Sequence, residues 1–196
     1  NEYVYGLERA VKESGNPMRT AIDPSQATDK DFLRAEKLGS CHNGEGHDNF
    51  LKGVTVQVDI VAPLYWWKEA QRYHWFDFVS SEPTMHCLLK FDVSKQCVDE
   101  TDPTIIKRMQ ELISEYNAIP NDDAHGEELK KKWRVLVASL PSGFCLGATM
   151  ATNYQQLKTM YIQRRHHKLT EWHTFCSWCE KLPHFLEITS ADKFAH

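Results

Sequence analysis

The sequence predicts an α+β fold, with a small mixed or antiparallel sheet flanked by several helices and a long C-terminal helix. Three observations predict it. Val54, Val56, Val58 and Ile60 alternate with Thr55, Gln57 and Asp59, the period-two pattern of a half-buried strand. Behind Asp102-Pro103, the residues Ile105, Ile106, Met109, Leu112, Ile113 and Tyr116 recur at helical spacing. From about Thr152 to Lys181 the chain carries apolar side chains at helical intervals, with no proline before Pro183.

The remaining elements follow in order. Residues 3–13 are expected to form a short helix with Tyr3, Leu7 and Val11 on one side, and Glu13–Asp23 a loop around Gly15, Asn16 and Pro17. Asp29 can cap a helix reaching about Leu38, with Phe32, Leu33 and Ala35 inward. Gly39–His47 is a polar loop. Pro63 ends the strand and suits the first turn of an aromatic helix, Leu64–Trp75. Residues 76–86 read as irregular around Pro83, and Cys87–Val93 as a short strand. After the helix that starts at Pro103, the turn Pro120–Gly126 leads into another at about 127–138. Leu140-Pro141-Ser142-Gly143 stops it, and Phe144–Thr149 adds a strand. With no repeat and no evident linker, residues 1–196 read as a single domain.

Composition narrows the function classes. A net charge of −4 on 196 residues does not favour general nucleic-acid binding. The longest apolar runs, such as Val135–Leu140, are too short to cross a bilayer. Asn1-Glu2-Tyr3-Val4-Tyr5 has neither the basic nor the apolar region of a signal peptide, so a cytoplasmic location is expected. The cysteines at 41, 87, 97, 145, 176 and 179 sit mostly in apolar contexts and read as free thiols. Cys176-Ser-Trp-Cys179 is a lone CxxC on an apolar helical seam, which favours buried thiols over zinc, and no metal is expected.

The final helix carries the richest set of recognition groups. Positions 153, 157, 160, 164, 167 and 171 advance by fours and threes and stay on one face. That face reads Asn153, Leu157, Met160, Arg164, His167 and Glu171. A second stripe of Ile162, Leu169, Trp172, Cys176 and Cys179 is the natural core seam. Arg164 offers a fork for phosphate or a carbonyl edge, and His167 and Glu171 can pair one turn apart. Spacing alone is satisfied more simply by a solvated face with an i,i+4 pair.

Two other concentrations stand out. Cys41–His47 could supply metal ligands, an acid–base histidine, or simply a flexible polar loop. Pro63–Phe76 interleaves tryptophans and tyrosines with Lys68, Arg72 and His74; it could stack a flat ring and reach phosphate, or form a core helix with snorkelling charges. The sequence has no GxGxxG after a strand, no GxxxxGK[ST] and no GxSxG.

Taken in order, these segments resemble the flavin-dependent thymidylate synthases. Gly46-His47 followed by Phe50-Leu51 resembles that family's Gly-His loop, and Ala62-Pro63 the end of its first long strand. Arg72-Tyr73-His74 stands in the place of the Arg-His-Arg signature. Ser80-Ser81-Glu82-Pro83-Thr84 is similar to the Ser-x-Asn-Glu-x-Ser that follows it. Leu140-Pro141, then Thr152-Asn153, Leu157, Arg164, His167 and Glu171, resemble the family's last segment. The likeness spans roughly residues 46 to 183.

The resemblance implies methylation of dUMP to dTMP. Methylenetetrahydrofolate and NADPH would be co-substrates, FAD the cofactor, and no protein nucleophile would attack the pyrimidine. It implies a homotetramer. It places Arg72, Ser81, Glu82 and Arg164 around the nucleotide. It places His47, Tyr73, His74, Asn153, His167 and Glu171 around the flavin. The chain departs from the pattern at Tyr73 and His74, at Met85-His86, and before Leu140, where no arginine stands. Fewer arginines weaken phosphate binding, because each charged hydrogen bond contributes roughly 1.5–3 kcal/mol. The departures leave two alternatives open, modification of another pyrimidine nucleotide and a non-catalytic flavin- or nucleotide-binding oligomer.

Overall fold

The structure, a computed structural model, describes residues 1–42, 44–83 and 88–194. Four strands form an antiparallel sheet in the order β1-β2-β4-β3. They are β1 (Glu2–Tyr5), β2 (Thr55–Pro63), β3 (Asp77–Ser81) and β4 (Cys145–Asn153). The predicted alternation shapes β2 and the residue before it: Val54, Val56 and Val58 are buried and Thr55, Gln57 and Asp59 face out. Tyr3 pairs with Gln57 and Tyr5 with Thr55 across β1 and β2. The start of the chain is therefore a strand and not the first turn of a helix. Gly6, at φ 75°, turns the chain out of β1, and a side chain there would collide with the Gly53 carbonyl at 2.5 Å. Helix α1 (Leu7–Glu13) begins only beyond it.

The chain gathers into two compact units. The first comprises Asn1–Asp59, Gln71–Val79 and Thr149–His196. It holds α1 and α2 (Asp29–Gly39), followed near the C-terminus by α7 (Tyr154–Arg164), α8 (Thr170–Cys179) and α9 (Phe185–Thr189). Thr28, not Asp29, caps α2: Thr28 and Asp31 bond reciprocally to each other's backbone as a capping box. Ala35 is buried on this helix, but Leu33 is 59% exposed and points away from the core. Gly39 ends α2 against the Ile188 carbonyl of α9, where a Cβ would sit 1.7 Å from the oxygen.

The predicted long C-terminal helix is two helices. Arg165–Leu169 interrupts it, with Leu169 extended at φ −83° and ψ 124°. The Leu169 amide donates to His167 Nδ1 at 3.2 Å, a local bond that replaces the helical one. His167 therefore lies in the break and Glu171 in the first turn of the next helix, so the two do not share one helix face. The polar face is corrected as well. Leu157 and Met160 are fully buried because α7 packs against residues 49–53, α8, α9 and residues 191–194. Trp172, Cys176 and Cys179 of the second stripe are buried as predicted.

The second unit comprises Ile60–Ala70 and Ser80–Ala148. It holds α3 (Leu64–Ala70), the one-turn α4 (Val93–Gln96), α5 (Pro103–Asn117) and α6 (Gly126–Ala138). Its core joins Leu88, Val93, Cys97, Met109, Leu112, Leu136 and Phe144. Asp102 caps α5 by accepting the Thr104 amide at 2.7 Å. Helix α3 stops at Ala70, short of Trp75. Residues 88–90 and 93–96 are helical turns where a strand was predicted over 87–93, and Cys87 lies outside the described residues. Among the described residues no helix is long and apolar enough to cross a membrane.

Candidate functional site

The helix break puts Arg164 at the C-terminal end of α7, where the helix dipole favours a cation. Its Nε donates to the Tyr73 hydroxyl at 2.7 Å, and that hydroxyl donates to Gln163 Oε1 at 2.9 Å. The guanidinium carbon lies 4.8 Å from the centre of the Trp172 ring and 5.5 Å from that of Tyr73. Both distances are within the range of cation–π attraction. The Trp172 ring is fully buried and meets Tyr73 edge-on, with centroids 6.2 Å apart. His167 lies in the break itself, its ring 6.4 Å from that of Trp172, and its carbonyl bonds to His173 Nε2 at 2.7 Å. Tyr73, Arg164 and His167 thus come together, with Trp172 as a platform that sequence reasoning had assigned only to the core.

A cleft of about 460 Å³ lies in the same unit. Its lining comes from the loop residues Gly44, Gly46, Asp48 and Asn49, from Lys52 and Trp75, and from Gln155, Gln156 and Thr159 of α7. Gly44 and Gly46 have φ of 96° and 82°, so the loop adopts turns that other residues resist. Trp75 is 54% exposed. Its backbone is held by α7 and the residue range just before it: its amide donates to Gln156 Oε1 at 3.3 Å, and its carbonyl accepts from Thr152 Oγ1 at 2.7 Å. A flat exposed indole, three amide side chains and a lysine suit a planar polar ligand that carries negative charge.

The other predicted residues fall as follows. Arg72 is exposed in the turn that carries Tyr73, and the His74 ring lies against Trp75 with centroids 4.7 Å apart. His47 is exposed on the loop, next to buried Asp48. Asn153 caps α7, its Oδ1 accepting the Gln156 amide at 3.0 Å. Glu171 is half-buried in the first turn of α8. Ser81 and Glu82 belong to the second unit, where Glu82 accepts the Gly147 amide at 2.7 Å and donates its own to the Gly147 carbonyl at 2.8 Å. Thr84, Met85 and His86 lie outside the described residues.

Sequence reasoning missed Lys158. It is fully buried on α7 and donates to the Gly39 carbonyl at 2.9 Å, the Cys41 carbonyl at 2.8 Å and Asp48 Oδ2 at 2.9 Å. One signal was available, because Lys158 shares a helix face with Tyr154 and Tyr161, which are also fully buried. Among the described residues no three or more His, Cys, Asp or Glu gather as a metal site. The described cysteines are free thiols, with Cys97, Cys176 and Cys179 buried.

No protein-family model matches the sequence, and no curated protein matches it. Solved structures match the architecture. The chain has the fold of the flavin-dependent thymidylate synthases. One such structure is the flavin-dependent thymidylate synthase ThyX from Helicobacter pylori complexed with FAD and dUMP. It is similar over 97% of this chain and 96% of that one, with TM-score 0.71 and 12% identity. Another, of the same enzyme with FAD and dUMP, covers 99% of this chain and 97% of its own, with TM-score 0.73 and 13% identity.

Proposed function

We propose that the protein is a flavin-dependent enzyme acting on a pyrimidine deoxynucleotide, in its simplest form methylating dUMP to dTMP. Methylenetetrahydrofolate would donate the carbon and NADPH the reducing equivalents. The observation that carries this reading is the likeness, nearly complete in both directions, to a fold whose solved examples hold FAD and dUMP. The residues fit the cofactor. The cleft beside the Gly46-His47 loop offers the exposed Trp75 ring, amides and Lys52 to a flat, anionic group. His47, Tyr73, His74, Asn153, His167 and Glu171 are the proposed flavin contacts. Arg72 and Arg164 are the proposed nucleotide contacts. FAD, when bound, supplies hydride chemistry. The chain's part is to bind, orient and exclude water: Trp172 and Tyr73 fix the Arg164 guanidinium before a nucleotide arrives.

The purified protein should be yellow or should become so with added FAD, and its oxidation of NADPH should depend on dUMP. A colourless protein that cannot be reconstituted with FAD would sink the reading. One observation favours a second reading, a different pyrimidine substrate. Tyr73 stands where the resemblance has a histidine, and its hydroxyl is spent on Arg164 and Gln163. Mass spectrometry of products formed from dUMP and from dCMP separates the two readings. The resemblance also implies a homotetramer, which sedimentation equilibrium would test.

A further inference from the structure

Lys158 is fully buried, and each of its three N–H donors finds a protein oxygen. The choice of oxygens matters. The Gly39 and Cys41 carbonyls open the polar loop, and Asp48 closes it. A single buried ammonium thus ties both ends of the loop to α7. Asp48 is itself 1% exposed, and its second oxygen accepts from Gln155 Nε2 at 3.0 Å. Between the tied ends, Gly44 and Gly46 line the cleft. Gln155, Gln156 and Thr159 line it from the helix that carries Lys158. Replacing a buried ion pair with apolar side chains of similar size is often neutral or stabilising, so global stability alone does not account for this one. What the pair provides is a fixed position for both ends of a glycine-bearing loop.

We propose that the buried Lys158–Asp48 pair is a positioning element: it holds the Gly44–Asn49 wall of the cleft and thereby sets how tightly the cleft binds its ligand. The double variant Asp48→Asn/Lys158→Met tests this, because it removes both charges together and leaves neither one buried alone. Lys158→Met is its unpaired comparison and can fail to fold without affecting the test. In the double variant, amide exchange at Gly44–Asn49 is expected to rise roughly tenfold or more while β2 and α7 keep their protection. Unchanged loop exchange, or equal loosening of β2 and α7, overturns the proposal. The second readout is FAD affinity, measured by quenching of flavin fluorescence, and it rests on the flavin reading above. A loss of about tenfold or more is expected from a misplaced wall. Wild-type FAD affinity in a variant with a loosened loop overturns the proposal. If the wild-type protein takes up no FAD, the flavin reading fails, and loop exchange alone decides whether the pair positions the wall.

Discussion

Arg164 donates its Nε–H to the hydroxyl of Tyr73 across 2.7 Å, although the two residues are 91 positions apart in the chain. The phenol fixes one edge of the guanidinium, and the Trp172 ring lies 4.8 Å from its central carbon. Preorganisation of this kind removes part of the entropy cost of binding an anion. Tyr73→Phe deletes one hydroxyl at a half-buried site and should leave the fold intact. It is expected to weaken dUMP binding by up to about tenfold, because the lost hydroxyl orients the guanidinium and does not bind the nucleotide itself. Arg164→Ala should weaken it by roughly ten- to a hundredfold. Calorimetric titration with dUMP reads both. Unchanged affinity in Arg164→Ala would remove Arg164 from the nucleotide site.

Asn153 is an N-cap whatever else it contacts. Its Oδ1 accepts the Gln156 amide, and Gln156 in turn holds the Trp75 backbone. Asn153→Ala should lower the unfolding free energy by about 1 kcal/mol, while Asn153→Asp should keep it. Urea unfolding of the two variants is the measurement. Equal stability in wild type and Asn153→Ala would mean that α7 does not depend on this cap.

The legible parts of this fold are those where one local pattern meets one local force. Val54 to Ile60 alternates because one face of β2 is buried. Asp102-Pro103 starts α5 because a carboxylate accepts the free amide of Thr104. β3 was invisible because all five of its residues are exposed, so no alternation marks it. At Tyr3, Leu7 and Val11 a helical spacing arose by coincidence across a strand and a helix, and Gly6 was the overlooked punctuation. The break after Arg164 depends on a side-chain bond from one ring to one amide, which periodicity does not register. Family resemblance singled out Arg164, Tyr73 and His167, which the structure brings together around Trp172. Lys158 and Asp48 were not legible, because a lysine defaults to the surface and its partners lie more than a hundred residues away.

Asp31 predicts an acid-sensitive step. Burial opposes its charge, but bonds from Arg34, from the Thr28 amide and hydroxyl, and from Lys12 outweigh this and hold the carboxyl well below the usual carboxylate range. A carboxyl depressed in the folded state stabilises the fold above its unfolded pKa, and that contribution is lost as pH falls through the lower folded value. Stability to urea should therefore decline as pH drops below about 4, the ordinary aspartate range. Asp31→Asn should flatten that decline. It should also cost about 1–3 kcal/mol at neutral pH, because the charged bonds from Arg34 and Lys12 are lost while Lys12 keeps Asp23 at 2.9 Å. A steep acid decline that survives in Asp31→Asn would assign the sensitivity to other carboxylates.

Cys176 and Cys179 give the last prediction. Burial pushes the Cys176 thiol up to about 11, a rise that Arg165 partly offsets, and burial also raises Cys179 well above the ordinary thiol value. The thiolate is the reactive form and the zinc-binding form, so both groups should be inert in the native protein. A short pulse of N-ethylmaleimide at pH 7.5, the near-neutral range where an ordinary thiol ionises appreciably (~8.5), followed by peptide mass mapping, should leave both unlabelled. The same pulse in denaturant should label both. Native labelling at the rate of a free thiol would mean that α8 does not pack with Cys176 and Cys179 inward. Zinc retained by the purified protein and lost in Cys176→Ser would revive the CxxC as a metal ligand.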